Sequence, residues 1–135
     1  MDRRLTFTAA LLGASAVLFG AMGAHGVKNL VATLPDAAQR LEWWEIGARY
    51  HLPHAFAVGL CAVLAMHTPS KLPRLAAWLF VLGVGLFSGS LYALALTGVR
   101  TLGLITPFGG LAMTAGWTLV AIAALRMPQG ARAGG

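Results

Sequence analysis

Three of the four histidines in this chain have the types of neighbour that chemistry needs. His51 and His54 are three residues apart, a spacing that puts both imidazoles on one side of a helix. Cys61, seven residues beyond His54, falls on that side as well, roughly 10 Å deeper along the helix axis. His25 ends the first apolar run, and so belongs to the membrane face on which His51 and His54 begin the second. Three imidazoles converging near an interface form a ligand set for copper, zinc or haem iron, or a relay for protons. Tyr50, Ser88, Tyr92 and Thr106 are expected in the same half of the molecule and would supply hydroxyls. The competing reading of the same residues is a hydrogen-bonded plug that fixes helix register. No short metal signature decides between them: the chain has no paired cysteines, and no two histidines four apart beside a glutamate. No cofactor is identifiable, and His67 falls on the opposite helix face.

The elements that would position these groups follow from composition. Of the 135 residues 58% are hydrophobic and 10% charged, against roughly 45–50% and about 25% in soluble domains. A chain this short cannot hide so much apolar surface from water, so lipid is its solvent. The net charge of +6 is spread singly or in pairs between apolar segments, as in membrane anchoring, and not gathered into a patch for nucleic acid. The lone Cys61 cannot form an intrachain disulfide and reads as a buried thiol.

Four apolar segments, 5–24, 50–66, 74–97 and 102–125, predict an all-α integral membrane four-helix bundle, one domain over 1–135. The first resembles a secretory signal peptide with Ala21 and Gly23 near a cleavage site, but its apolar run is long for one, and it is read as a retained helix. Ala16, Gly20 and Ala24 give it a small-residue stripe. Between the first two spans, Thr33 reads as an N-cap, and Ala37, Leu41, Trp44 and Ala48 recur at helical spacing. With Trp43 and Trp44, this predicts a short amphipathic interfacial helix, broken from the second span near Arg49 by Pro53. The tail from Met127 to Gly135 reads as loose.

Four spans put both termini on one side. Arg3, Arg4, Lys71, Arg74, Arg126 and Arg132 share it, opposite Lys28, Arg40, Arg49 and Arg100. The excess of basic residues places the termini in the cytoplasm. Helix three offers Ser88 and Tyr92 on one face, with Gly85 and Gly89 as a contact stripe, and Pro107 with Gly109 and Gly110 favours irregular backbone early in helix four.

The runs Gly20 to Gly26, Tyr50 with His54, Phe87 to Tyr92, Thr106-Pro107 with Gly109-Gly110, and Gly116-Trp117, in that order, resemble the YgdD-like family. That group is labelled a domain of unknown function and includes transmembrane protein 256-type proteins. The resemblance covers nearly the whole chain and implies a small bacterial inner-membrane protein, with no established activity, substrate or cofactor. Met22 stands where the family usually has phenylalanine, and His51 where it usually has glutamine. His25 and His54 fit the family pattern. Two functions are therefore expected: a non-catalytic accessory or docking subunit contacting the bilayer and other membrane proteins, or a metal, haem, ion or proton-handling protein using the His, Tyr and Ser cluster. The four acidic residues give paired-carboxylate catalysis no support, and no enzyme is expected.

Overall fold

The computed structural model describes residues 2–127. Helix α1 (Arg3–Met22) opens on Asp2, whose carboxylate accepts from the Leu5 amide at 3.4 Å. A π-helical turn, Gly23–Val27, joins it to the single-turn α2 (Lys28–Val31), so that Arg3–Val31 is one unbroken rod. Then follow α3 (Ala37–His67), α4 (Leu72–Thr97), a 3-10 turn (Arg100–Leu104) and α5 (Thr106–Leu125). Among the described residues there is no strand. The long helices are therefore four, as the apolar segments predict. Three of them, Arg3–Val31, Leu72–Thr97 and Arg100–Leu125 counted with the 3-10 turn, are long and apolar enough to cross a membrane. The loose tail expected beyond Met127, with Arg132, lies outside the described residues from position 128 on.

One expectation is corrected. No separate interfacial helix precedes the second span: the segment from Ala37 continues through Pro53 into the span as a single 31-residue helix. An interior proline removes one backbone hydrogen bond and costs about 3 kcal/mol, but here the packed stripe runs unbroken past it. Trp44, Gly47, His51, His54, Ala55, Val58 and Cys61 are all buried, while Pro53 sits on the exposed side. Tertiary contact outweighs the local break.

Register is set by two side chains that bond across antiparallel α3 and α4. The Arg40 guanidinium donates to the carbonyls of Ala95 and Leu96 at 3.2 and 3.3 Å, and Ser88 Oγ donates to the Gly47 carbonyl at 2.8 Å. Tyr50, His51 and His54 consequently lie beside the middle of α4, not at the end of the bundle where they were expected.

Arg40 also completes the end of α4. The last carbonyls of a helix lack internal partners and carry its negative dipole end; a guanidinium answers both needs. Gly98, at φ 72°, turns the chain there, and any side chain on it would collide with Arg40. At the opposite end of the bundle, Arg74 Nε donates to Asp2 at 3.0 Å and ties the start of α1 to the start of α4.

The core falls into two clusters. Leu5, Val58, Cys61, Ala76, Ala77 and Phe80 fill the half nearest the first residue of α1; Val27, Val31, Trp44, Tyr92 and Ala95 fill the far half. Helices α3 and α4 form the central pair, with α1 against α3 and α5 against α4. The α4–α5 crossing is close because Gly83 faces Gly109: a Cβ on Gly109 would stand 2.8 Å from the Gly83 carbonyl oxygen.

Candidate functional site

The helices bring His51 and His54 to two different places. His51 is enclosed where α1, α3 and α4 meet. Its Nε2 lies 3.3 Å from Ser15 Oγ, and its Nδ1 lies 3.2 Å from the Tyr92 hydroxyl. Ser15 sends its own proton to the Leu12 carbonyl at 3.0 Å, so its oxygen accepts from His51 Nε2–H. That leaves Nδ1 to accept from Tyr92. The result is a directed chain, Tyr92 to His51 to Ser15 to Leu12, which joins three helices through a neutral imidazole.

Aromatic rings close over this chain. Phe19 meets Tyr92 edge-on at 4.9 Å, and Trp44 lies 4.6 Å from Tyr92. The indole N–H of Trp44 donates to the Phe19 carbonyl at 2.8 Å. Two glycines admit these rings. A Cβ on Gly23 would stand 2.7 Å from Trp44, and one on Gly47 would stand 2.9 Å from Tyr92.

His54 faces the other way, towards α5. Its Nδ1–H donates to the Tyr50 carbonyl one turn back at 2.7 Å, and its Nε2 accepts from the indole N–H of Trp117 at 3.3 Å. Phe80 packs beneath the imidazole at 5.6 Å. Beside it opens a cleft of about 400 Å³ lined by Tyr50, His54, Phe87, Gly110, Met113 and Trp117. Tyr50 and Trp117 are each 44% exposed there.

The remaining expected residues disperse. His25 stands exposed on the π-helical turn at the far end of the bundle, more than two turns of α1 beyond Ser15. Ser88 is fully buried and holds Gly47. Thr106 binds Ser90 at 2.7 Å, fastening the start of α5 to α4. Cys61 is sealed in the apolar cluster, and exposed His67 donates back to Val63 within its own helix. Among the described residues no three of His, Cys, Asp or Glu are placed to hold a metal ion. At both buried imidazoles the donor and the lone pair are already engaged, so a metal would have to displace Tyr92 or Trp117.

Several partners were not singled out from sequence as site residues. Ser15 is the one polar side chain between Ala9 and Ala24 of the first apolar run, which is the signal that marks it. Trp117 shares a face with Gly110 and Met113, and Arg40 stands four residues after Asp36. The ion pair Arg40–Asp36, at 2.8 Å, holds the Asp36 carboxyl below its ordinary pKa. Asp2 is lowered likewise by its hydrogen bond from Arg74.

This arrangement spans the part of the chain, residues 19–110, that matches the family described as "Protein of unknown function (DUF423)". The chain belongs to that family. It is 40% identical over 116 residues to the UPF0382 membrane protein YwdK of Bacillus subtilis, covering 82% of this chain and 87% of that protein. It is 34% identical over 134 residues to the UPF0382 inner membrane protein YgdD of Escherichia coli, covering 95% and 94%. A UPF0382 membrane protein of Haemophilus influenzae is 35% identical over 121 residues, covering 90% and 93%. No solved structure matches. With its apolar helices, this DUF423 chain is a multi-pass membrane protein in contact with lipid, and no catalytic family is indicated. The matched stretch holds Phe19, Trp44, both buried histidines and Tyr92, but stops short of Ser15 on one side and Trp117 on the other.

Proposed function

We propose that this protein is a non-catalytic accessory or docking subunit of a bacterial inner-membrane assembly, crossing the bilayer four times with both termini in the cytoplasm. One observation carries the reading: both buried imidazoles have donor and lone pair bonded within the chain, so they hold helices together and neither is poised for substrate. The orientation rests on Arg3, Arg4, Lys71, Arg74 and Arg126 at one end of the helices, an excess that favours the cytoplasmic side. Such a subunit presents its surface to partners. Of the most apolar stretch of Arg3–Val31, only 11% is buried, against 50% for α4.

The test is gentle extraction of tagged protein from native membranes after mild cross-linking. A defined larger complex, recovered equally with His54→Ala, supports the reading. Recovery of the chain with lipid alone counts against it.

A second reading is favoured by the cleft of about 400 Å³ beside Tyr50 and His54: handling of a small ligand, metal or ion. Its check is the metal and haem content of untagged protein, with His25→Ala, His51→Ala and His54→Ala purified in parallel. Stoichiometric cofactor lost from folded variants would replace the accessory reading.

A further inference from the structure

Helices α3 and α5 both pack on α4 and scarcely on each other, meeting through the bond between His54 and Trp117. Beside that bond lies the cleft of about 400 Å³, which Thr114 also lines. Its depth decides what can reach it. Ser88 bonds to Gly47, so Tyr50, three residues further along α3, lies about 4.5 Å deeper and level with the midpoint of α4. Helix α4 has 26 residues, about 39 Å of helix, and the hydrocarbon core is about 30 Å thick. The cleft therefore opens within hydrocarbon, and what enters it comes from the lipid phase. Among the described residues no charged side chain lines it, so nothing there offsets the cost of bringing a charge to that depth.

Two features of the lining describe the occupant. The first is its rings: Tyr50, Phe87 and Trp117 form three of its walls, with Tyr50 packed 4.7 Å from Phe87. Aromatic walls suit a flat ring, which stacks on them or meets them edge-on. The second is hydrogen bonding. His54 is engaged at both nitrogens, the Trp117 indole donates to it, and Thr114 gives its proton to the Gly110 carbonyl at 3.0 Å. The Tyr50 hydroxyl is the one side-chain donor of the lining that no described residue answers. A donor left so in hydrocarbon costs free energy that an acceptor recovers. On the opposite wall Thr114 Oγ keeps a lone pair.

We infer that this cleft binds a flat, uncharged, lipid-soluble ring bearing a carbonyl, the chemistry of a quinone. The carbonyl accepts from Tyr50, and in the quinol form a ring hydroxyl donates to Thr114. A lipid acyl chain reaches the same depth but brings neither a flat ring nor an acceptor. The volume lies in the range of small-ligand sites, roughly 300–1,000 Å³. Gly110 helps to keep that space: a Cβ there would meet nothing nearer than the Phe87 ring at 3.9 Å, so a side chain at this position fills the cleft without disturbing the helix crossing.

This rests on the second reading, of the cleft as a ligand site, and narrows it to one class. The test is titration of the protein in lipid nanodiscs with decylubiquinone, read as saturable quenching of indole fluorescence. Wild type is expected to saturate. Tyr50→Phe keeps the ring and drops the hydroxyl, and is expected to bind about fivefold more weakly. Gly110→Leu fills the cleft and is expected to weaken binding tenfold or more. Gly85→Ala, in the groove beside His51 where a Cβ meets nothing within 4 Å, is expected to leave binding unchanged. Decylbenzene, a ring and tail without the carbonyl, is expected to compete poorly, and equally in wild type and Tyr50→Phe. Helicity is checked for every variant; should Gly110→Leu fail to fold, Tyr50→Phe and decylbenzene still decide. Wild type that does not saturate, or Tyr50→Phe at full affinity, overturns the inference. Decylbenzene competing as well as the quinone overturns the quinone class while leaving a small-ligand cleft. Stoichiometric metal or haem without quinone binding sinks this inference and keeps the second reading; neither cofactor nor quinone binding sinks both.

Discussion

His51 and His54 stand three residues apart on one helix, yet they belong to different parts of the molecule. His51 is bonded on both sides to other helices, through Ser15 of α1 and Tyr92 of α4. His54 has one bond back to its own helix and one to Trp117, beside an open cleft. A separation of three residues turns a helix by about 60°. On a helix with one neighbour that step keeps two side chains together. On α3, which touches α1 and α4 and reaches Trp117 of α5, it carries the second imidazole from one groove into the next. Shared helical face is therefore a weaker guide to convergence where a helix has several neighbours.

The difference predicts unequal sensitivity, strongest at the three-helix junction. Gly47→Val should have the largest effect, about 3 kcal/mol of lost stability, because its side chain would enter the Tyr92 ring. His51→Leu should cost about 2 kcal/mol by leaving the buried Tyr92 hydroxyl without its acceptor. His51→Gln, which keeps one donor and one acceptor, should cost less than about 1 kcal/mol. His54→Leu should cost about 1 kcal/mol, since the indole it releases is partly exposed. Unfolding in detergent, followed by helicity against denaturant, ranks all four. If His54→Leu proves as damaging as His51→Leu, the contrast between the two grooves is wrong.

The smallest expected effect lies at the helix ends and sharpens the comparison by leaving both grooves intact. Asp2 and Asp36 have lowered carboxyl pKa values in the folded chain, each through its arginine partner. Their contribution is present above the ordinary carboxylate range and is lost as pH falls through the folded values. Melting temperature should therefore decline modestly below about pH 4. Asp36→Asn should remove part of that decline, while the ranking of the histidine variants measured at neutral pH stays the same.

The helical fold was legible because long apolar runs leave few alternatives in lipid. Depth along α3 was not. Glu42, Glu45 and Arg49 together with Pro53 carry the pattern of a surface helix followed by a break, and only tertiary contact overrules it. Trp44 is buried against Phe19 and Tyr92 through glycines at 23 and 47, and that is a property of three segments at once. Of the hydroxyls expected in one cluster, Tyr50 is exposed and the other three fasten separate crossings: Ser88 to Gly47, Thr106 to Ser90, Tyr92 to His51. His25 could not join them because the rod of α1 places it at the far end, well past Ser15.

The bond from Arg40 to the end of α4 also bears on how the chain is made. Arg40 leaves the ribosome 55 residues before Ala95, the carbonyl it will cap. Until then its charge and its Asp36 partner wait at the leading edge of α3, and the closing turn at Gly98 has nothing to hold. Helices α3 and α4 are thus completed together, as a hairpin latched at its open end. A nascent chain halted before residue 95 would carry every residue of α3 and still lack the carbonyls that Arg40 binds.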